Sequence, residues 1–298
     1  MASIPFVSDL KFEYEEVAQV SGLIQRVVAE NPGAFTYTGT GVYIIGDKEC
    51  AVIDPGPNTE SHFDALKKAL EGRTVKCVLV THSHMDHSPL AHPLAEWAGC
   101  KVFAGGPAIP TESEVRMEAG DDLSFQPDES LTDGQRFSGD GWTIEAVATP
   151  GHTSNHFCFA LLEENALFSG DHIMGWSTTV ISPPDGNMGD YFRSLEKVKD
   201  RQYKTIYPTH GPEVTDVAPF VDAYISHRHK REAAIVERIE AGDKLIPDMV
   251  KTIYKDVDKR LHPAACHSVL AHVIHLIETG RVKANTQIHN LMTEYEPA

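Results

Sequence analysis

The segment Thr81-His82-Ser83-His84-Met85-Asp86-His87 places four metal-binding side chains within six residues. Imidazole and carboxylate are donors that suit zinc and related ions. A short apolar run of buried-strand type, residues 75–80, ends immediately before them, and a strand end is a rigid place to hold ligands. Alternation along an extended loop aims His82 and His84 one way while Asp86 and His87 reach a second ion. The competing reading is a solvated polar loop, which requires four candidate ligands to have gathered by chance.

This HxHxDH segment resembles the signature of the metallo-β-lactamase superfamily. The resemblance implies further ligands downstream, in order, each at the end of a strand. Matching elements are present: Thr149-Pro150-Gly151-His152-Thr153, Phe168-Ser169-Gly170-Asp171 and Pro208-Thr209-His210-Gly211. Carried onto this chain, the resemblance implies one ion held by His82, His84 and His152, a second held by Asp86, His87 and His210, and Asp171 bridging them. The implied cofactors are two Zn2+ ions, with manganese or iron as alternatives. The implied chemistry is hydrolysis by a metal-bridging hydroxide, since two dications roughly 3.5–4 Å apart acidify a shared water. Asp86 and Asp171 are then the catalytic carboxylates.

The match extends further. The stretch from His172 through Trp176, Pro183-Pro184 and Asp190-Tyr191, together with His227-Arg228-His229-Lys230-Arg231-Glu232 and Leu261-His262-Pro263, resembles the β-lactamase-like protein 2 group. That group carries a small winged-helix-like domain after the metallo-β-lactamase fold. The implied fold class is α/β (α+β): an αββα sandwich over residues 1–216, then a small, mostly helical winged-helix-like domain over residues 217–298. In this superfamily the segment between the fifth and final ligand elements walls the substrate cleft, so Trp176 and Tyr191, with Phe192 beside them, are candidate substrate contacts or ordinary apolar cover. His227 is placed near the mouth of the site. His156 and His172 read as outer partners of the ligands or as buried structural histidines, and His92 as a surface residue. The run Arg228, Lys230, Arg231 reads as a solvated helix face or as a phosphate contact. The seven histidines from His227 onward scatter over several helices.

Several elements must position these groups. Strand patterns occur at residues 42–45 and 51–53, split by the turn Gly46-Asp47-Lys48, and again at 75–80, 101–104, 142–148, 156–162, 166–169 and 205–207. Helical spacing occurs at 61–70, 89–98, 191–199, 218–241, 246–257 and 263–279. Strands interleaved with helices on this scale predict two sheets covered by helices. Residues 112–133, acidic and turn-rich, read as a surface excursion.

Charge bounds the partners. The chain has 298 residues and a formal charge of −17. Residues 1–216 hold 15 basic and 32 acidic residues, and residues 217–298 hold 11 of each. Such an acidic chain disfavours extended nucleic-acid tracking, and the helix at 263–279 has no Lys or Arg, which points to a structural or homodimerisation role for the last domain. Two dications reverse the sign locally, so a small anionic substrate is compatible with the charge. No apolar run is long enough to span a membrane. The opening MASIPFVSDLKFEYEE lacks a secretory pattern, and five scattered cysteines without CxxC read as reduced, so the expected location is cytoplasmic.

The leading expectation is therefore a zinc-dependent hydrolase of a small-molecule ester, thioester, lactone or amide, with promiscuous β-lactam hydrolysis open to it. One alternative is an endoribonuclease acting on single-stranded RNA, as the animal member of the resembled group is. Another is a nucleic-acid-binding or regulatory module with a non-catalytic metal site.

Overall fold

The computed structural model describes residues 4–109 and 120–298. A seven-stranded sheet runs in sequential order through β1 (Val17–Gln19), β2 (Ile24–Val28), β3 (Gly41–Ile45), β4 (Glu49–Ile53), β5 (Thr74–Leu79), β6 (Lys101–Ala104) and β7 (Glu129–Ser130). Its first four strands pair antiparallel, and β4 through β7 are parallel. The parallel steps need crossovers, supplied in part by α1 (Glu60–Ala69) and α2 (Ala91–Ala98). Helix α1 starts where the Thr59 side chain accepts from His62 N–H, and α2 stops at the left-handed Gly99.

A second sheet has five strands: β8 (Arg136–Gly139), β9 (Trp142–Ala148), β10 (Phe157–Leu161), β11 (Ala166–Gly170) and β12 (Thr205–Pro208), in the spatial order β12-β11-β10-β9-β8. The crossover from β11 to the parallel β12 contains α3 (Met188–Asp200), begun by the Asn187 side chain accepting from Asp190 N–H. The inner faces meet through Tyr43, Ile45, Ile53, Leu79, Ile144, Phe159 and Phe168. The outer face of the first sheet packs Ile44, Val52 and Val78 on Leu66 and Leu94 of α1 and α2. The outer face of the second packs Val147, Ala160 and Leu167 on Tyr191 and Leu195 of α3. With both faces covered, β3, β10 and β11 are buried along their whole length, which is why they read as continuous apolar runs. The architecture is the expected αββα sandwich.

Helix α4 (Val217–Glu240) joins two cores. Phe220, Val221 and Tyr224 lie in the core on the second sheet, whereas Ile235 and Ile239 lie in a separate core with α5 (Ile246–Ile253), α6 (His262–Glu278) and the hairpin of β13 (Val282–Ala284) and β14 (Tyr295–Pro297). Pro247 and Pro263 stand in the first turns of α5 and α6, where a missing N–H costs nothing. Three helices and a hairpin form the expected helical, winged-helix-like unit. Among the described residues no helix is long and apolar enough to cross a membrane.

The expected surface excursion at 112–133 holds in part, since most of the described residues from 120 to 133 are exposed. Residues 110–119 lie outside the described residues, but Phe125 is in the core against the first sheet, Leu131 is buried, and β7 extends the sheet. Of its described acidic residues Asp122 is buried, its N–H donating to Ser83 O (2.7 Å) and its carboxylate accepting from Ser88 Oγ (3.2 Å), whereas Asp128, Glu129 and Asp133 are exposed.

Candidate metal centre

Strands β5, β9, β11 and β12 all end at one edge of the sandwich, and each is followed by a turn that carries residues expected as ligands. The two sheets are tied together there, because Phe157 N–H donates to Thr81 O (2.9 Å) and Gly41 N–H to Thr209 O (2.7 Å). Two glycines make the close approach workable. Gly170 has φ +53°, and a Cβ there would sit 2.8 Å from Thr81. Gly151 has φ +141°, and a Cβ would meet the Tyr191 Cα at 2.5 Å, so only glycine lets the start of α3 press on the turn that carries His152.

All seven residues expected as ligands are buried and converge at this edge. Ligand atoms of His82, His84 and His152 lie within 4.8 Å of one another, as do those of Asp86, His87 and His210, and those of His82, His87 and Asp171. His82 Nε2 is 2.9 Å from His84 Nδ1. Asp171 stands between the groups: its Oδ1 is 3.6 Å from His87 Nε2 and 3.5 Å from His210 Nε2, and its Oδ2 is 4.0 Å from His152 Nε2. Asp86 Oδ2 is 3.1 Å from His210 Nε2.

The far sides of the imidazoles are held by the protein. His87 Nδ1 bonds Asp54 Oδ2 (2.9 Å), His152 Nδ1 bonds Val180 O (2.7 Å) and His210 Nδ1 bonds Gly39 O (3.2 Å). Each acceptor places a proton on Nδ1 and turns the Nε2 lone pair inward, the tautomer a metal requires. His87 Nε2 and Asp171 Oδ1 are buried without a hydrogen-bond partner. Such orphaned donor atoms at the convergence of imidazoles and carboxylates fit a metal ion, which would satisfy them.

The electrostatics agree. Burial and the neighbouring histidines hold His82 well below the usual imidazole range, and burial with His152 takes His84 down to about 3, so both present neutral lone pairs. Burial opposes charge on Asp86, yet His87 and His210 outweigh it and lower the group to about 2. Asp171 is likewise held low against burial by His210 and His87. Burial opposes protonation of His87 and His210, yet Asp86 and Asp171 beside both, with Asp54 beside His87, outweigh it and hold both above the usual imidazole range, so a dication binding among the two ionised carboxylates would displace protons from these rings.

Several supporting residues carried no motif. Buried Asp54 accepts from Thr81 N–H (2.7 Å), Thr81 Oγ1 (2.8 Å) and Thr209 Oγ1 (2.9 Å) while holding His87. Thr40 Oγ1 donates to Asp86 O (3.0 Å). Met85 N–H donates to Gly120 O (2.9 Å), fixing the loop that carries the first ligands. An aspartate following an apolar strand and preceding Pro55-Gly56 was the available signal for Asp54.

The candidate substrate contacts separate. Trp176, partly exposed, stacks on Tyr37 (centroids 4.8 Å, 18°) over Gly211, next to the ligand His210. Tyr191 is fully buried; its hydroxyl donates to His172 O (2.8 Å), so it supports the site from beneath. His227 is partly buried on α4, its Nδ1 without a hydrogen-bond partner, in a setting of Arg228, Arg231, His272 and Lys230. His156 bonds Thr149 Oγ1 (2.9 Å), and His92 is exposed as expected. Arg228 is not on a solvated face: it is 3% exposed, and Arg231 lies over the Tyr254 ring at 4.1 Å. The C-terminal histidines are less scattered than their spacing implies, because His275 (2.7 Å) and His272 (3.6 Å) both approach buried Glu232. A cavity of about 340 Å³ lies where Pro183, Pro184 and Met188 face Leu270 and Ile274 of α6.

Comparison with known proteins agrees with this geometry. Residues 37–210 match the metallo-beta-lactamase superfamily model, and residues 246–288 match the beta-lactamase associated winged helix domain. The chain is 33% identical over 274 residues to the beta-lactamase-like protein 2 homolog of Caenorhabditis elegans, covering 90% of this chain and 89% of that protein. It is 29% identical over 255 residues to an atrochrysone carboxyl ACP thioesterase of Claviceps purpurea, covering 81% and 75%. A beta-lactamase domain protein from Burkholderia ambifaria superposes with a TM-score of 0.80 at 18% identity, covering 99% of this chain and 97% of that one. The chain belongs to the metallo-β-lactamase superfamily of hydrolases, with the β-lactamase-associated winged helix domain as its C-terminal unit.

Proposed function

We propose that the protein is a dinuclear zinc hydrolase that cleaves a carboxyl-derived bond in a small molecule, with thioesters first among esters, lactones and amides. The observation that carries this reading is the pair of buried triads, His82/His84/His152 and Asp86/His87/His210, with Asp171 between them. When bound, two zinc ions supply Lewis acidity towards the scissile carbonyl and acidify a water. A histidine-rich donor set favours zinc over harder ions.

The chain's own residues do the rest. Asp86 accepts a hydrogen bond from the attacking water and orients it. Asp54, Val180 and Gly39 keep three imidazoles in the ligating tautomer. Trp176 and Tyr37 offer an aromatic wall beside His210 for the apolar part of a substrate. The thioesterase name of a fungal relative supports a thioester. Against RNA, two of the three basic residues whose alternative reading is a phosphate contact are engaged elsewhere, Arg228 buried and Arg231 on Tyr254. Five free cysteines support a reducing, cytoplasmic setting.

The test is a hydrolysis panel on the zinc-loaded protein: an acyl thioester, a lactone, a chromogenic β-lactam, an aryl phosphodiester and single-stranded RNA. The thioester is expected to turn over fastest. RNA or the phosphodiester turning over fastest would replace this reading with the nuclease one.

A further inference from the structure

A buried cation of the C-terminal part of the chain reaches the turns that carry two of the ligands. Arg228 stands in the middle of α4, 3% exposed, and no carboxylate pairs with it among the described residues. Its guanidinium lies over the Tyr191 ring, 5.1 Å from the centroid, and an Nη donates to Thr179 O. Its Nε is buried without a hydrogen-bond partner. Burying an unneutralised guanidinium is unfavourable, so its few contacts must define what it does.

Those contacts lead to the metal centre. Thr179 Oγ1 lies 2.8 Å from Asp171 O and 2.9 Å from His172 O. The next carbonyl, Val180 O, accepts from His152 Nδ1 (2.7 Å). Tyr191, under the guanidinium, donates to His172 O (2.8 Å). One turn earlier on α4, Tyr224 hydroxyl donates to the Met174 carbonyl (2.7 Å), on the same segment. Arg228 therefore holds the peptide at 179–180, whose two residues fix the backbone of Asp171 and the ring of His152.

We propose that Arg228 is a positioning residue for the metal centre, acting through Thr179 and Val180 on Asp171 and His152. The middle of α4, the helix that leads into the winged-helix unit, is thereby tied to the metal centre by a side chain. This rests on the reading of those residues as zinc ligands.

The test compares the full-length wild type with Arg228→Met, which keeps volume and removes the donors, and with Arg228→Lys, which keeps a donor and the charge. Zinc affinity is measured by competition with a chromogenic chelator, alongside kcat, KM and the melting temperature of the metal-free chain. Arg228→Met is expected to bind zinc roughly 10–100-fold more weakly, the range for lost outer partners of metal ligands. Its kcat should fall about tenfold or more with KM within about threefold, and added guanidinium should recover part of kcat. Arg228→Lys should fall between the two, and if Arg228→Met does not fold, a weakened zinc affinity in a folded Arg228→Lys carries the same conclusion. A folded variant with wild-type zinc affinity and kcat, and only a lower melting temperature, overturns the proposal while leaving the hydrolase reading intact. A wild type that binds no zinc overturns both.

Discussion

At the residue scale, the convergence of seven His and Asp side chains suited to a metal was legible because metal binding restricts residue type so strongly. Only His, Cys, Asp and Glu serve, and HxHxDH leaves little room for coincidence. What holds the ligands was not legible in the same way. Asp54, Thr40 and Thr209 act through one or two hydrogen bonds each, and such residues are common in any loop. The roles of the two carboxylates are separable by experiment. Asp86→Ala should lower kcat by roughly 10²–10⁴-fold, the range for losing a positioned acid–base group. Asp171→Ala should lower kcat at least as far, and should in addition weaken the binding of both ions since it faces His87, His210 and His152. Circular dichroism should report an unchanged fold for both variants. Full turnover by either, with two metals bound, would remove the assigned roles.

At the element scale, the strands that end at the site were readable, and the peripheral ones were not. Strands β3, β10 and β11 are buried along their whole length and β5 and β9 over most of theirs, whereas β1 and β7 are short and largely exposed at the edges of their sheet, with no hydrophobic pattern to detect. Arg228 was misread because its neighbours His227, His229, Lys230 and Arg231 look like a solvated charge run. The helical period gives the better answer: Val221, Tyr224, Arg228, Glu232, Ile235 and Ile239 share one buried face. Close approach between elements has its own test. Gly151→Ala would put a Cβ 2.5 Å from the Tyr191 Cα at a φ of +141°. The change should cost about 1–3 kcal/mol of stability, read from denaturant unfolding, and should lower zinc affinity because His152 is the next residue. A stable variant with unaltered affinity would show that the turn and α3 are not coupled as described.

At the scale of the whole molecule, two cores share one helix, and the junction holds a buried acid–base cluster with a consequence for pH. Burial takes His272 from its ordinary 6.5 down to about 4, despite nearby Glu232 and with Arg228 and Arg231 opposing protonation. Glu232 is lowered against burial by neighbouring His272 and by its hydrogen bond with His275. Between pH 6.5 and 4 the unfolded chain binds the His272 proton and the native chain does not. Stability is thus fully present above 6.5 and is lost as pH falls. The depressed carboxylate Glu232 acts in the same direction below 4.5. His272→Gln should therefore show a flatter stability profile between pH 6.5 and 4 than the wild type in denaturant melts. Identical slopes would mean that His272 does not titrate in this way. The net charge of −17 takes on a narrower meaning at this scale. Part of it is Asp86 and Asp171, which face inward to a site for cations, so the surface is less acidic than the total implies. The most direct test of the account is thioesterase activity of the metal-stripped chain titrated with zinc. The account predicts no turnover without zinc and a rise that levels off at two equivalents per chain. Full activity in the stripped protein, or saturation without a second equivalent, would contradict it.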